Sequence, residues 1–349
     1  MSHPGLGAWD AVPGYLNAST LGLPPRRTVA ALRAAVDDWQ GGRASAPDYD
    51  ADVDASRRLF ADLVGVPPGW VAVGSQVSVM VGEVAAHLPD RSKVVGVEGD
   101  FGSVLGPVEA QARRGVELVT VPLDRLPDEI ARARPDAVVF SLAQSADGRL
   151  AAADDVVTAA ADIGALTVCD TTQATGWLPV DAGRWDVTVC SAYKWLCAPR
   201  GAAFLTVRPE ASERLSGHNA GWYAGDDVWA SVYGPGLRLA RDARRFDVSP
   251  VWLAWVGART SLEAVLEVPA EVRHRHGPAL ADQLRTLLGE SPQGRPVVSV
   301  DDPNGGLVRR LVAAGCSVAS RAGRARLSFH LWNDSADVAR AAQALLTPA

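Results

Sequence analysis

Seven short apolar runs, rich in valine and other β-branched residues, recur between residues 71 and 207, with helical stretches between them. The runs cover residues 71–73, 94–97, 118–121, 137–140, 165–169, 187–190 and 202–207. They lack the strict alternation of apolar and polar residues that marks a strand with one solvated face, so each is typical of a strand buried on both faces. Their alternation with helices predicts an α/β fold with a seven-stranded, mostly parallel sheet between layers of helices.

The rest of the chain predicts two further parts. Residues 1–30 are expected to form an N-terminal arm, which continues into a helical pattern up to residue 39. After about residue 250 we expect helices over 251–288, a strand at 297–300, a helix near 306–314, a strand at 326–329 and a last helix from 335. The pattern predicts a large domain at 31–250 and a small α+β domain at 251–349, with the arm packed on the small domain.

Composition and charge argue against several classes of partner and site. The net charge of -6 leaves no basic excess for nucleic acid. No stretch reaches the roughly 18 continuous apolar residues of a membrane span, and residues 1–12 lack the pattern of a secretory signal, so we expect a cytoplasmic protein. The cysteines lack the spacing of a zinc or redox site, which predicts no metal and four buried, reduced thiols. These thiols are Cys169, Cys190, Cys197 and Cys316.

Polar side chains suited to one aromatic cofactor follow two neighbouring strands of the predicted sheet. Asp170 and Gln173 follow the fifth run, and Ser191, Tyr193 and Lys194 follow the sixth. Lys194 is one of only two lysines in the chain, and desolvation by the neighbouring Trp195 and Leu196 would lower the pKa of its amine, which suits a Schiff-base nucleophile. A carboxylate such as Asp170 can hold the protonated ring nitrogen of pyridoxal phosphate, which makes that ring an electron sink.

Three further contacts are expected for the same cofactor. The turn at Ser75 and Gln76, between a predicted strand and a helix, offers backbone N–H groups to a phosphate. Phe101 is placed to stack on the ring, and Gln173 is placed to reach the ring hydroxyl. Each residue alone has a plainer interpretation, since Asp170 suits a helix N-cap, Phe101 a core position and Lys194 a surface. Their joint order and spacing favour the cofactor.

At these residues the chain resembles the class V aminotransferase branch of fold-type I pyridoxal-phosphate enzymes. This branch includes cysteine desulfurases, kynureninases, isopenicillin N epimerase-like proteins and C-S lyases, and the resemblance covers nearly the whole chain. The segment Asp170-x-x-Gln173 resembles the pair at the ring nitrogen and hydroxyl. Ser191-x-Tyr193-Lys194 resembles the phosphate-contacting serine and aromatic residue followed by the Schiff-base lysine. The resemblance implies the fold-type I fold, with Lys194 and Asp170 as catalytic residues.

The resemblance also implies substrate and subunit contacts. Arg326, in an Arg-x-Ser segment, matches the arginine that clamps the substrate α-carboxylate as a bidentate pair. Ser249 matches a hydroxyl that often reaches the phosphate of the neighbouring subunit, which implies a homodimer with shared active sites. Ser145 and Trp222 are expected to join Arg326 in binding a small amino-acid substrate. Further candidates for substrate contact or proton transfer are Arg244, Arg245, Arg321, Arg324 and Tyr223.

The reaction is predicted from what the sequence lacks. A desulfurase needs a mobile, nucleophilic cysteine near the C-terminal arginine, but residues 320–325 contain none, and Cys316 lies in an apolar stretch. The chain most resembles actinobacterial lyases of cysteine S-conjugates, of the ergothioneine and lincosamide type, which implies a role in secondary metabolism such as antibiotic biosynthesis. Lys194 would remove the α-proton and the Cβ–S bond would break, giving a thiol, pyruvate and ammonia.

Alternatives stay open at this point. An aminotransferase or decarboxylating deaminase of an S-cysteinyl conjugate, a desulfurase-like enzyme and a kynureninase-like enzyme would use the same cofactor residues. An idle pyridoxal-phosphate-binding regulatory protein is the non-enzymatic alternative.

Overall fold

The seven predicted strands form one sheet in the computed structural model, which describes residues 7–347. Its strand order is β1-β7-β6-β5-β4-β2-β3. Strand β7 runs antiparallel to both neighbours, and the other neighbouring pairs are parallel. The strands are β1 (Val71–Gly74), β2 (Lys93–Val97), β3 (Glu117–Val121), β4 (Ala137–Ser141), β5 (Leu166–Asp170), β6 (Val187–Ser191) and β7 (Ala203–Val207). The seven-stranded, mostly parallel α/β sheet is therefore confirmed.

Helices cover both faces of this sheet, which explains why its strands show no polar alternation. Phe204 of β7 packs into the core beneath one set of helices, and the next residue, Leu205, packs into the core on the other face. The helices are α1 (Arg26–Gln40), α2 (Asp50–Val64), α3 (Val77–Ala85), α4 (Gly102–Glu109), α5 (Leu126–Ala133), α6 (Ala153–Ala161), α7 (Pro209–Ser212), α8 (Trp252–Glu267), α9 (Ala270–Leu287), α10 (Gly306–Ala313) and α11 (Ser335–Leu346). No helix within residues 7–347 is both long enough and apolar enough to cross a bilayer.

A second sheet of three antiparallel strands lies in the C-terminal part of the chain. Its order is β8-β10-β9, and it shares a core with α9, α10 and α11. The strands are β8 (Val297–Asp301), β9 (Ala319–Arg321) and β10 (Arg324–Ser328). Strand β9 was not predicted, because three residues are too few to show a period. Between β9 and β10 lies a tight turn in which Ala322 and Gly323 both adopt the left-handed conformation, with φ of 47° and 72°.

The N-terminal arm contacts this second sheet. Tyr15 and Asn17 form β-bridges to Ser317 and Ser328, and Leu16 is buried in the core of the small sheet. Helix α8 packs instead against α1 and α2. The domain boundary at residue 250 stays a prediction.

Six strands of the large sheet run in the same direction, because β1 and β6 are both antiparallel to β7 and the others follow β6. Their carboxyl ends therefore meet at one edge of the sheet. Residues that follow β1, β2, β4, β5 and β6 face a common crevice there. The polar groups singled out in the sequence lie at this edge.

Candidate active site

Lys194 lies in the loop after β6, with 5% of its surface exposed. Its Nζ is 5.2 Å from the centre of the Phe101 ring and 5.7 Å from that of Tyr193. The Trp195 ring stacks on His330 at 5.5 Å, and its part in desolvating the Lys194 amine stays a prediction. Burial lowers the pKa of Lys194 to about 8, against the opposing charge of Asp170.

Asp170 is the last residue of β5, and 4% of its surface is exposed. Its Oδ1 accepts the backbone N–H of Thr172 at 2.8 Å. Thr172 Oγ1 accepts the backbone N–H of Ser191 at 3.0 Å, so the ends of β5 and β6 are joined through this side chain. Burial raises the pKa of Asp170 to about 6, while the Thr172 hydrogen bonds and the charge of Lys194 oppose that rise. A buried carboxylate and a buried amine thus share the crevice.

Gln173 connects the Asp170 loop to three other parts of the chain. Its Nε2 donates to the carbonyl of Ser19 at 2.9 Å and to Oγ of Ser145 at 3.2 Å. Its Oε1 accepts the indole N–H of Trp195 at 2.8 Å. The side-chain N–H groups of Gln173 are therefore engaged, and a contact with the ring hydroxyl, which stays a prediction, requires one of these bonds to exchange.

Arg326 of β10 enters the same crevice from the small sheet, with 1% of its surface exposed. Its Nη1 donates to the carbonyl of Ser145, its Nη2 donates to Thr20 Oγ1 at 2.7 Å, and its Nε is buried without a partner. No carboxylate of residues 7–347 lies within ion-pair distance of it. Burial lowers the pKa of Arg326 to about 10. Since an unpaired buried cation is costly, the crevice is suited to a carboxylate ligand.

The remaining cofactor candidates border the same edge. Ser75 and Gln76 precede α3, and Gln76 at its N-cap makes no side-chain capping bond, so the first N–H groups of α3 are left for an anion. Phe101, 36% exposed, is the N-cap residue of α4. Asp100 fixes it by accepting the Phe101 N–H at 2.7 Å, and also accepts the backbone N–H of Ser141 at 2.7 Å. This donor set fits pyridoxal phosphate: a free helix N-terminus for phosphate, an aromatic face, an amine and a buried carboxylate.

Trp222 and Tyr223 contact residues outside this group. The Trp222 ring packs against Tyr223 at 5.2 Å and Trp229 at 5.3 Å. The Tyr223 hydroxyl donates to Asp50 at 2.9 Å, and burial raises its pKa, so it is a poor candidate for proton transfer. Ser249 is exposed and follows Val248, whose backbone N–H donates to the carbonyl of Val73 in β1 at 3.2 Å. The roles of Trp222 and Ser249 stay predictions.

The other arginine candidates differ in their pairing. Arg324 forms an ion pair with Asp301, and Arg244 forms one with Asp242. Nη2 of Arg321 lies 3.5 Å from Thr20 Oγ1, the same hydroxyl that Arg326 contacts. Arg245 has a buried Nε without a partner among the described residues.

The sequence prediction missed the residues that hold this site together. Thr20 and Ser19 come from the arm, and nothing in their local sequence marks them. Thr172 lies inside the predicted loop. Asp100 lies at a predicted strand end, directly before Phe101, and this position was the one signal in the sequence for its role in holding Phe101.

Comparison with known proteins relates the chain to one family. Residues 51–315 match the family described as Aminotransferase class-V. Isopenicillin N epimerase of Streptomyces clavuligerus is 29% identical over 292 residues, which span 76% of this chain and 71% of that protein. A probable hercynylcysteine sulfoxide lyase of Mycobacterium tuberculosis is 27% identical over 291 residues, spanning 80% of this chain and 70% of that protein.

Solved structures confirm the fold-type I architecture. The cystine C-S lyase C-DES, in complex with its reaction product cysteine persulfide, superposes with a TM-score of 0.84 at 18% identity. The superposition covers 95% of this chain and 98% of that one. At this identity the likeness concerns the fold.

Proposed function

The chain belongs to the class V aminotransferase family, and on that premise we propose that it is a C-S lyase, which breaks the Cβ–S bond of a cysteine S-conjugate. Membership of the family confirms pyridoxal phosphate as the cofactor that the sequence predicted. The proposal depends chiefly on one observation, the state of the thiols around the site.

All four cysteines are buried, and burial raises the pKa of each thiol. A residue that accepts sulfur must be an exposed thiolate on a segment that can move. The segment before Arg326 is instead the tight β9–β10 hairpin, whose turn consists of Ala322 and Gly323. With no thiol placed to receive sulfur among residues 7–347, the sulfur leaves with its own substituent as a free thiol. The relative named as a probable sulfoxide lyase supports the same direction.

Each part of the crevice then has a task. Bound pyridoxal phosphate supplies an electron sink for the pair of electrons left when the α-proton is removed. Arg326 holds the α-carboxylate, and Asp170 keeps a proton on the ring nitrogen. Lys194 Nζ takes the α-proton, because its lowered pKa of about 8 leaves part of the amine neutral near neutral pH. The conjugate and one water give the thiol, pyruvate and ammonia.

The purified holoenzyme is expected to release pyruvate, ammonia and thiol in equal amounts from an S-substituted L-cysteine. Pyruvate is measured with a coupled dehydrogenase and the thiol with a chromogenic disulfide. Free alanine with transferable sulfur would indicate a desulfurase. A keto acid that keeps its sulfur substituent would indicate transamination, and inversion at Cα would indicate an epimerase. A yellow protein that changes none of these substrates would contradict the lyase and favour an idle binding protein.

We further propose a cytoplasmic homodimer with shared active sites, serving secondary metabolism such as antibiotic biosynthesis. Ser249 is the residue that tests the shared site, because its exposed hydroxyl is free to face a partner subunit. Ser249→Ala is expected to weaken binding of pyridoxal phosphate about tenfold, the value of one hydrogen bond to a charged group, without changing the sedimentation coefficient. A monomer in sedimentation, or an unchanged cofactor affinity, would contradict the shared site.

A further inference from the structure

Two guanidinium groups meet at one hydroxyl on the substrate side of the crevice. Thr20 Oγ1 lies 2.7 Å from Nη2 of Arg326 and 3.5 Å from Nη2 of Arg321. The two arginines come from adjacent strands of the small sheet, β10 and β9. Thr20 comes from the N-terminal arm, so three separate segments build this end of the site.

Strand register places a third arginine, Arg324, on the same face, but this arginine is paired with a carboxylate. Arg324 lies directly opposite Arg321 on one side and opposite Asp301 on the other. Directly opposed residues point to the same face of a sheet, and Arg326 is two residues further along β10. Arg324 is paired with Asp301, whereas within residues 7–347 neither Arg321 nor Arg326 lies within ion-pair distance of a carboxylate.

The two unpaired arginines differ in access. Arg326 is buried and already bonded to Ser145 and Thr20, so it is fixed for a ligand in the interior of the crevice. Arg321 is exposed, and besides its contact with Thr20 it donates from Nη1 to its neighbour's carbonyl, that of Ser320, at 2.7 Å. Because a guanidinium has five N–H donors, Arg321 keeps donors that these two contacts do not use. Both cations lower the pKa of Lys194, which places their charge within reach of the reacting amine.

The α-carboxylate of an amino-acid substrate can neutralise only one of these two arginines. If Arg326 binds that group, Arg321 lies one hydroxyl away, where the substituent on the substrate sulfur would project toward solvent. A carboxylate on the sulfur substituent would pair with Arg321, whereas a neutral substituent would leave Arg321 unpaired.

We propose that Arg321 is a specificity residue that selects cysteine S-conjugates with a carboxylate on the sulfur substituent. This inference rests on the proposed lyase function. It assigns Arg326 to the α-carboxylate and Arg321 to the second, distal carboxylate.

The test compares two conjugates of nearly equal size, S-carboxymethyl-L-cysteine and its neutral amide, S-carbamoylmethyl-L-cysteine, with the holoenzyme. We expect kcat/KM for the acid to exceed that for the amide about tenfold, the effect of one hydrogen-bonded charge pair near the surface. Arg321→Gln should remove this preference by lowering the value for the acid alone. Because Arg321 is exposed, added salt should also reduce the ratio of kcat/KM for the acid to kcat/KM for the amide in the unmodified enzyme. The same ratio should not change with salt in the Arg321→Gln variant.

Two other arginines serve as contrasts. Arg326→Gln should lower kcat/KM for both conjugates by a similar factor of about a hundred, because a buried cation is removed from the group they share. Arg324→Gln, on the same face but paired with Asp301, should leave the preference intact. Equilibrium binding of the two conjugates to Lys194→Ala protein, which cannot turn them over, should show the same tenfold preference and its loss with Arg321→Gln.

The outcomes distinguish the proposed role of Arg321 from the lyase function on which it rests. Pyruvate from neither conjugate contradicts the proposed lyase. Pyruvate from both with equal kcat/KM overturns the role of Arg321 and leaves the lyase standing. An Arg321→Gln variant that loses activity on both conjugates equally assigns Arg321 to the α-carboxylate and also overturns the inference.

Discussion

Lys194→Ala is expected to lower kcat for pyruvate formation by more than about a thousandfold, because it removes both the Schiff-base amine and the base that takes the α-proton. Reduction of the holoenzyme with borohydride followed by peptide mapping should place the pyridoxyl label on Lys194. The chain offers a matched control, since Lys93 at the start of β2 is the second lysine. Lys93→Ala should keep activity and labelling. A label on Lys93 would contradict the site.

The lowered pKa of Lys194 adds a pH signature. Only the neutral amine attacks a carbonyl, so uptake of pyridoxal phosphate by the cofactor-free protein should accelerate as pH rises through about 8 and level off above it. An ordinary lysine would continue to accelerate past pH 10. The rate is followed by the absorbance of the bound cofactor. A rate that still rises steeply at pH 10 would show that the amine is not desolvated in solution.

Asp170→Asn is expected to lower kcat by at least about a hundredfold, because asparagine carries no charge to keep a proton on the ring nitrogen. The folded protein should not lose stability. The folded-state pKa of Asp170, about 6, lies above the ordinary value of 3.8. The stabilisation from this carboxyl is therefore complete below pH 3.8 and lost as pH rises through about 6. At pH 7 the ionised group destabilises the fold, and asparagine relieves that cost while its Oδ1 still accepts the Thr172 N–H.

The measurement is Tm of the cofactor-free protein at pH 7 and pH 4. We expect the variant to be at least as stable as the unmodified protein at pH 7, with a smaller difference at pH 4. Asp100→Asn is the matched control. Both oxygens of the Asp100 carboxylate accept hydrogen bonds, from Ser141 and from Phe101. In asparagine one of these oxygens is replaced by an NH₂ group, which would face another N–H donor instead of accepting from it. That control should lower Tm. A fall in Tm for Asp170→Asn of the same size would assign Asp170 a structural role instead.

The sequence predicted the sheet and the cofactor side of the crevice because both depend on local order. Buried parallel strands carry a strong apolar signal, and polar groups at their carboxyl ends meet at one edge whatever the connecting loops do. Asp170 and Lys194 follow neighbouring strands β5 and β6, and the pair could be recognised from chain order alone. Helix α2 was missed because its charged residues dilute the apolar face that Phe60 and Val64 present to the core.

Contacts between distant parts of the chain, and the directions of side chains, could not be predicted from the sequence. Thr20 meets Arg326 across 306 residues, and no local pattern marks either as a partner of the other. The direction of the Trp195 ring depends on the turn after Lys194 and on His330, which stacks between Trp195 and Trp332. Phe101, from another strand end, lies with its ring 5.2 Å from the Lys194 amine, a distance that chain order alone does not give.

The docking of the arm on β10 also determines when the site can be completed. Ser19 and Ser328 hydrogen-bond across 309 residues, and the ribosome delivers the arm long before the strand that receives it. Closing so long a loop gains no contacts until its far end exists, and its entropic cost grows with loop length. During synthesis the strand ends that carry Asp170 and Lys194 emerge before Arg326, so the contact between Thr20 and Arg326 can form only later. The two strand ends can thus be in place before the arginine that we propose to bind the substrate carboxylate has been synthesised.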